Sequence, residues 1–161
     1  MSTSDDAAQS SDTAASAPVD LAAIREQFVG LEFDWTTFDM NADDMVAWAE
    51  ACGETDPRFI DPEHPDFQAH PNYTTHCMSV QLLPDDFPQI GNGFGIDGGK
   101  TVDVHAPIRS GDRLKAVATI ADIYDKTGRS GTMIFIVQRM TFTNGRDEKV
   151  STVDWKMIRG A

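Results

Sequence analysis

The sequence predicts an α+β domain in which a long, curved antiparallel sheet wraps around one central helix. Segments between residues 100 and 159 alternate apolar and polar side chains, as strands buried on one face do. Just before them, residues 72–83 carry apolar side chains around much of a helical circumference, and a helix of that kind is buried on most sides. A sheet that curls around this helix buries the helix together with its own concave face.

The N-terminal part of the chain begins with a polar leader and continues with short elements. Residues 1–18 are mostly Ser, Ala, Asp and Thr, which bury too little surface to offset the entropy of ordering. We therefore expect a disordered tail, followed by a single domain over residues 19–161. Apolar residues at helical spacing predict a helix over residues 21–28, and alternation of apolar with polar residues predicts a half-buried strand over residues 31–38.

The next helix has clear start and stop signals. Asn41 suits the N-cap, acidic residues fill the first turn, and Gly53 follows the last apolar position. Met45 and Trp48 belong to its apolar face. Residues 54–71 then form a loop rich in Pro, Asp and His, and a loop of this length in a compact domain is often functional.

The rest of the chain predicts an antiparallel meander. The predicted strands cover residues 100–107, a long segment with Leu114, Ala116, Ala118 and Ile120 on one face, residues 132–143 and residues 150–159. Asn144 and Gly145, between the last two strands, are a hairpin signal. Because these strands exceed the usual length of about five or six residues, we expect a strongly curved sheet.

Composition excludes several classes of function. The net charge of −13 argues against nucleic acid as a partner, since phosphate backbones need a basic surface. No apolar stretch is long enough to span a membrane, and the leader lacks the basic start and apolar run of a secretory signal, so we expect a cytoplasmic protein. Cys52 and Cys77 match no disulfide or zinc spacing, so we expect small buried thiols and no metal site.

Three segments, in this order, resemble MaoC-like dehydratases. They are ACGETDPRFID at residues 51–61, GGKTVDVHAPIRSGDR at residues 98–113 and KTGRSG at residues 126–131. The resemblance covers about residues 21–159 and is closest to the N-terminal, fatty-acid-synthase-like dehydratase domain of that group. It implies the hot-dog fold, which is the sheet-around-helix arrangement predicted above, and the pairing of two such domains into one continuous sheet.

The resemblance also implies a reaction. Members of the group act on acyl-CoA or acyl-carrier thioesters, and they add water across a 2-enoyl double bond or remove it. No separate cofactor is implied, because coenzyme A arrives as part of the substrate. The chemistry needs a base that activates water for attack at C3, a proton for C2, and donors for the charge that develops on the thioester oxygen.

Catalytic members of the group carry the acid–base residues in a motif of the form Asp-x-x-x-x-His, in the loop after the capped helix. Aligned on Pro57 and Asp61, this chain has Glu54 where the Asp is expected and Phe59 where the His is expected. Glu54 keeps a carboxylate on a longer arm, whereas Phe59 removes the titratable group. We take Glu54 and His70 as the candidate catalytic pair.

Alternatives to this pair remain open at the level of sequence. Asp56 is a second candidate carboxylate, and His76 is a second candidate imidazole. Each histidine also fits a loop or helix-start position without any chemistry.

A further set of residues is expected to hold the substrate. The N–H groups of Asn72 and Tyr73, at the start of the predicted central helix, suit an oxyanion, although an ordinary helix start explains these residues equally well. Arg109 and Arg113 are candidates for the phosphates of the coenzyme, with solvated turn charges as the alternative. Phe94 is a candidate wall of the acyl pocket, with core packing as the alternative. Further candidates for these two roles are Lys115, Lys126, Arg129, Phe87 and Ile90.

Three functions are compatible with these residues. The first, which we expect, is a hot-dog subunit that shapes the acyl-thioester site and pairs with a MaoC-like partner carrying the Asp/His dyad. The second is a self-sufficient homodimeric enoyl-CoA hydratase that uses a rearranged carboxylate–histidine pair. The third is a thioester-binding or thioesterase hot-dog protein, which the pattern of residues 98–113 disfavours.

Overall fold

The computed structural model describes residues 20–91, 95–129 and 131–160, so the expected tail over residues 1–18 lies outside the described residues. The helices are α1 Leu21–Phe28, α2 Ala42–Ala51 and α3 Pro57–Ile60, followed by a 3-10 turn at Tyr73–His76. The strands are β1 Glu32–Asp39, β2 Gly95–Val104, β3 Arg113–Gly128, β4 Gly131–Thr143 and β5 Lys149–Gly160. Within the described part of the chain, no helix has the length and apolar character needed to cross a membrane.

The strands form one antiparallel sheet in the order β1-β3-β4-β5-β2. On β3, the even-numbered residues from Leu114 to Ile120 are all fully buried, which confirms the predicted alternation. A bulge between Ile120 and Asp122 then shifts the register with β4, and burial resumes at Ile123. Because the extra residue changes the phase of the strand, apolar side chains stay on the core face on both sides of the bend.

The first two predicted helices form, and their caps explain why. At the start of α2, the side-chain oxygen of Asn41 accepts a hydrogen bond from the N–H of Asp44 at 2.8 Å. Beyond the end of α2, Gly53 takes a φ of +76°, the left-handed conformation that glycine adopts most easily. α1 has the predicted bounds, and the Asp20 side chain caps it by accepting from Ala23 N–H at 3.1 Å.

The hairpin between β4 and β5 forms where Asn144 and Gly145 predict it. The Asn144 side-chain oxygen accepts from the N–H groups of Arg146 and Glu148 at 3.0 and 3.1 Å. The left-handed residue of the turn is Asp147, with a φ of 58°. Asn144 therefore holds a longer turn than a two-residue loop, and its side chain makes the hydrogen bonds that such turns need.

The prediction of a helix over residues 72–83 is wrong. Only the 3-10 turn at Tyr73–His76 forms, and residues 77–83 are not helical. Tyr73 and Cys77 are buried, whereas Val80 is 85% exposed. The threonines in the turn have low helix propensity. Beyond them, the backbone N–H of Gln81 donates to Asp34, as described below, and so is not available to the carbonyl four residues earlier that it would bond in a helix.

Short helices and loops cover the buried face of the sheet in place of the expected long helix. One core cluster packs Met45 of α2, Phe67 and Tyr73 against β3, β4 and β5. A second cluster packs Phe28 of α1 and Ile90 against the far ends of β3 and β4. The first cluster lies beneath the loop that carries the candidate catalytic residues, and it therefore supports that loop.

Asp34 on β1 fastens the chain that follows the 3-10 turn. Its Oδ2 atom accepts from the Ser79 hydroxyl at 2.5 Å and from the Gln81 N–H at 3.0 Å. Its Oδ1 atom accepts from the Trp35 N–H at 2.8 Å. These hydrogen bonds, that from Ser79 first, hold the pKa of Asp34 below its ordinary value, because they stabilise the ionised form.

Replacement of the Asp34 carboxylate by an amide tests how much these hydrogen bonds stabilise the fold. The Asp34→Asn variant has one side-chain oxygen for the donors that now share two. We therefore expect it to lose about 1 kcal/mol of unfolding free energy at neutral pH. This is less than hydrogen bonds to a charged group usually contribute, because Asp34 is partly exposed. Since the folded-state pKa is lowered, the contribution of Asp34 is present above its unfolded-state pKa and is lost as the pH falls through the folded-state pKa. Urea unfolding of both proteins between pH 7 and pH 3 measures this, and the two curves should converge in acid.

Glu26→Gln on the exposed side of α1 is the matched control, and we expect it to leave the midpoint of urea unfolding at pH 7 unchanged. An Asp34→Asn protein as stable as the parent at pH 7 would contradict the assignment.

Candidate active site

The loop between α2 and the 3-10 turn brings Glu54 and His70 together. The Oε2 atom of Glu54 lies 3.4 Å from the Nε2 atom of His70, and about a quarter or less of each side chain is exposed. Two backbone groups, the N–H groups of Thr55 and Asp56, donate to the Oε1 atom of Glu54 at 2.7 and 2.9 Å. Because Oε1 is occupied in this way, Oε2 is the oxygen that faces the imidazole.

The same backbone contacts set the charge of Glu54. The N–H groups of Asp56 and Thr55 hold the pKa of the Glu54 carboxyl below its ordinary value, and the proximity of His70 adds to this effect. Hydrogen bonds to an ionised carboxylate favour that form. Glu54 therefore carries a negative charge at neutral pH and acts as an acceptor.

Hydrogen bonds fix the part of the loop that precedes His70. Asp56 caps α3 by accepting from the N–H of Arg58 at 3.0 Å, and the N–H of Gln68 donates to the Arg58 carbonyl at 2.9 Å. The N–H of Ala69 donates to the carbonyl of Ile108, in the connection between β2 and β3, at 2.9 Å. The residue before His70 is thus tied to the end of the sheet.

The His70 ring lines a small pocket of about 170 Å³. The residues around the pocket are Phe59, Gln68, Ala69, His70, Pro71, Val104, Pro107 and Ile108. The Phe59 ring meets the His70 ring edge to face, with 5.4 Å between centroids. The position where the resembled family has a histidine therefore forms an apolar wall, and an imidazole from a later part of the loop lies against that wall.

Two side chains hold the far side of the imidazole. The Oδ1 atom of Asn72 lies 2.5 Å from Nδ1 of His70, and the indole N–H of Trp48 donates to the same oxygen at 2.7 Å. The sequence predicts Trp48 only as part of the apolar face of α2, and it predicts a role for the backbone N–H of Asn72 and none for its side chain. The spacing of His70 and Asn72, two residues apart around a proline, is the sequence feature that could have indicated this side-chain contact.

The other candidate pair is engaged elsewhere. The Asp56 carboxylate pairs with Arg58 at 2.6 Å. The Nδ1 atom of His76 contacts the Tyr73 carbonyl, and its ring stacks on Trp48 with 4.5 Å between centroids. Within the described residues, Glu54 and His70 are the one candidate carboxylate–histidine pair closer than 4 Å.

Of the two predicted oxyanion donors, that of Tyr73 is occupied and that of Asn72 faces the His70 ring. The N–H of Tyr73 donates to the His70 carbonyl at 2.8 Å, and the N–H of Asn72 points towards Nδ1 of His70 at 3.4 Å. The Tyr73 ring is buried, and burial raises the pKa of its hydroxyl to about 12. The helix start that motivated this prediction is a single 3-10 turn, so Asn72 contributes through its side chain.

The predicted phosphate ligands have different surroundings. Arg109 donates to the Phe67 carbonyl at 2.6 Å, so it supports the loop that carries His70. The Arg113 side chain is 68% exposed and lies 3.6 Å from Asp39, beside Thr37. Arg113 is therefore accessible to a ligand, whereas Arg109 already has a structural partner.

The predicted acyl-pocket walls lie in a second pocket of about 240 Å³. It is lined by Leu83, Pro84, Phe87, Pro88, Gln89, Ile90, Ile136 and Arg159, and it shares no lining residue with the pocket at His70. Phe94 lies outside the described residues. The described part of the chain contains no cluster of three or more His, Cys, Asp or Glu side chains placed to hold a metal ion.

Solved structures share this architecture. The chain superposes on the ChsH1–ChsH2 complex of Mycobacterium tuberculosis with a TM-score of 0.62 at 20% identity, covering 87% of this chain and 88% of that chain. For the HadBC (3R-hydroxyacyl-ACP dehydratase) complex of the same organism the TM-score is 0.65 at 19% identity, covering 82% of this chain and 97% of that chain. These similarities confirm the hot-dog fold predicted from the sequence.

Sequence comparison places the chain in a family. A UPF0336 protein of Saccharopolyspora erythraea is 27% identical over 144 residues, which is 83% of this chain and 89% of that protein. The family described as the FAS1-like dehydratase domain region matches residues 27–153. That match spans β1, α2, the loop with Glu54 and His70, and most of the sheet, so the chain belongs to the family of the FAS1-like dehydratase domain region and has the hot-dog fold.

Proposed function

We propose that this chain acts on a 2-enoyl or 3-hydroxyacyl thioester as a hydratase or dehydratase, with Glu54 and His70 as its acid–base pair. The observation that carries the proposal is the 3.4 Å approach of Glu54 Oε2 to His70 Nε2 beside an apolar pocket. A carboxylate and an imidazole at this separation can hold one water molecule between them and the substrate, which general acid–base catalysis requires.

The pair accounts for the whole reaction in the direction of hydration. Nε2 of His70 takes a proton from water as the water oxygen bonds to C3, and the electron pair of the double bond moves towards the thioester oxygen. The same imidazole then returns the proton to C2, so that one water is added and His70 regains its starting state. Glu54, which is ionised, accepts a hydrogen bond from the water and holds it beside Nε2. Dehydration follows the same steps in reverse and needs no separate cofactor.

The pocket walls suit the acyl end of such a substrate. Phe59, Val104, Pro107 and Ile108 present apolar surface next to the imidazole, and they exclude bulk water from the reacting carbons. At about 170 Å³ the pocket is smaller than the cavities of roughly 300–1,000 Å³ that enclose whole ligands, so it accommodates the reacting end alone. The phosphates of coenzyme A would stay outside it, where Arg113 is exposed.

A second hot-dog subunit would complete the site. β2 is the last strand of the sheet order, and Val104 at its end lines the pocket. An edge strand of this length is usually paired or covered in native proteins. We therefore include in the proposal a partner sheet on β2, supplied by a second copy of this chain or by a MaoC-like subunit, within a single domain over residues 19–161 in the cytoplasm.

A second candidate function is the substrate-shaping subunit of a heteromer. It is favoured by Phe59, which stands where catalytic relatives have histidine, and by the heteromeric assemblies named in the ChsH1–ChsH2 and HadBC structures. In that arrangement the partner supplies the Asp and His, and the pocket of this chain shapes the acyl group.

Assays of the purified chain with crotonyl-CoA and a longer 2-enoyl-CoA test the catalytic pair. We expect His70→Ala and Glu54→Gln each to lower kcat/KM by about 100-fold or more, the usual contribution of a positioned acid or base. His64→Ala, in the same loop but outside the pocket, is the matched control and should retain activity. Circular dichroism establishes that each variant folds. Full activity of His70→Ala would exclude the proposed pair.

Co-expression with a MaoC-like subunit that carries the intact Asp-x-x-x-x-His motif distinguishes the two candidates. If this chain is catalytic, it hydrates enoyl-CoA alone, and the His70→Ala variant stays impaired when the partner is present. If it is a substrate-shaping subunit, it is inactive alone, and the complex remains active with His70→Ala but fails when the partner's motif is removed.

A further inference from the structure

We infer that Trp48 and Asn72 are positioning residues that fix which nitrogen of His70 carries the proton. The inference deepens the proposed function and depends on it for its catalytic meaning. Its structural part concerns only the tautomer of one imidazole, which can be measured without any assay. Neither residue lines the pocket, so both act through His70.

The first step is the orientation of the Asn72 amide. The indole N–H of Trp48 is a donor and has no acceptor atom. It lies 2.7 Å from the end of the Asn72 side chain, so the atom at that end is the amide oxygen. The amide nitrogen then points towards the Cys52 sulfur at 3.6 Å, a weak acceptor, which is consistent with the same orientation.

The second step is the protonation of the imidazole. The amide oxygen oriented by Trp48 also lies 2.5 Å from Nδ1 of His70. Because that oxygen can only accept, Nδ1 must carry the hydrogen. The N–H of Asn72 approaches Nδ1 as well, but at 3.4 Å it is a much longer contact, and the shorter one decides the tautomer.

The third step links the tautomer to the chemistry. With the hydrogen on Nδ1, a neutral His70 has its free electron pair on Nε2, 3.4 Å from the ionised Glu54 carboxylate. That carboxylate attracts a hydrogen to Nε2, so the neutral ring keeps its hydrogen on Nδ1 because the Asn72 oxygen, at 2.5 Å, is the closer acceptor. A base that activates water beside Glu54 needs its electron pair at this atom. The other tautomer would place an electron pair against the Asn72 oxygen and leave Nε2 unable to accept a proton.

Trp48 is itself held firmly enough to set this orientation. It belongs to α2, its ring stacks on His76 at 4.5 Å, and the Tyr73 ring meets it edge to face at 6.2 Å. The chain of contacts therefore runs from a capped helix through an indole and an amide to the imidazole. A helix is a more precise support than the loop on which His70 lies.

Nuclear magnetic resonance of protein labelled with ¹⁵N-histidine reads the tautomer directly from the two ring nitrogen shifts, recorded at pH values where they no longer change. The shifts report the tautomer on the alkaline side, where the ring is neutral, and we expect the Nδ1–H tautomer in the parent. Asn72→Asp keeps an acceptor at the same place and should keep this tautomer, whereas the similarly sized Asn72→Leu removes the acceptor and should give a mixture. Trp48→Phe keeps the aromatic ring but loses the N–H, so the amide is free to turn and a mixture is again expected.

Kinetics supply the second readout. Asn72→Leu and Trp48→Phe should lower kcat by about 10-fold to 100-fold with little change in KM, as loss of a partner that orients a histidine does elsewhere. Asn72→Asp should restore most of kcat. An Nε2–H tautomer in the parent, or an unchanged tautomer in both Asn72→Leu and Trp48→Phe, would overturn the inference. A tautomer that shifts as expected in a chain that is inactive in every form would instead support the inference and refute the proposed catalytic role.

Discussion

The hydrogen bond between Ala69 N–H and the Ile108 carbonyl, at 2.9 Å, determines where the loop that carries Glu54 and His70 lies. It joins the residue before His70 to the connection between β2 and β3, and Arg109 strengthens the same junction by donating to the Phe67 carbonyl at 2.6 Å. Both walls of the pocket follow from this junction, since Ile108 forms one side and the loop forms the other. Because the sheet fixes the position of Ile108, it also fixes the position of the imidazole.

With the loop in this position, the rings of Phe59 and His70 are neighbours. Phe59 lies in α3, a short helix that is capped by Asp56 and begins at Pro57, and the direction of this helix sets the position of the ring. The Phe59 ring packs edge to face against His70, so an apolar ring and an imidazole line the same pocket. Glu54 keeps its place after α2, and its longer arm is held by two backbone N–H groups.

Local chemistry explains which parts could be predicted. The caps of α2 and the alternation of β3 depend on neighbours in the sequence, so Asn41, Gly53 and the residues from Leu114 to Ile120 were predicted correctly. The prediction of a helix over residues 72–83 failed because Asp34, distant in sequence, accepts from the Gln81 N–H that a helix would have used. The approach of Glu54 to His70 depends on a loop held by tertiary hydrogen bonds, so the sequence offered the pair only as one combination among several.

The acidity of the chain is compatible with an anionic substrate because the carboxylates nearest the pocket are already engaged. Asp56 is paired with Arg58, whose guanidinium lies 5.4 Å from the centre of the Phe59 ring, and Glu54 is held by backbone donors. In the proposed function, only the uncharged acyl end of the thioester enters the pocket. Arg113 forms an exposed pair with Asp39, and because exposed ion pairs contribute little, Arg113 can exchange that partner for a phosphate at small cost. In the proposed function, exposed side chains such as Arg113 therefore bind the phosphates, whereas apolar side chains and the His70 imidazole contact the acyl end in the pocket.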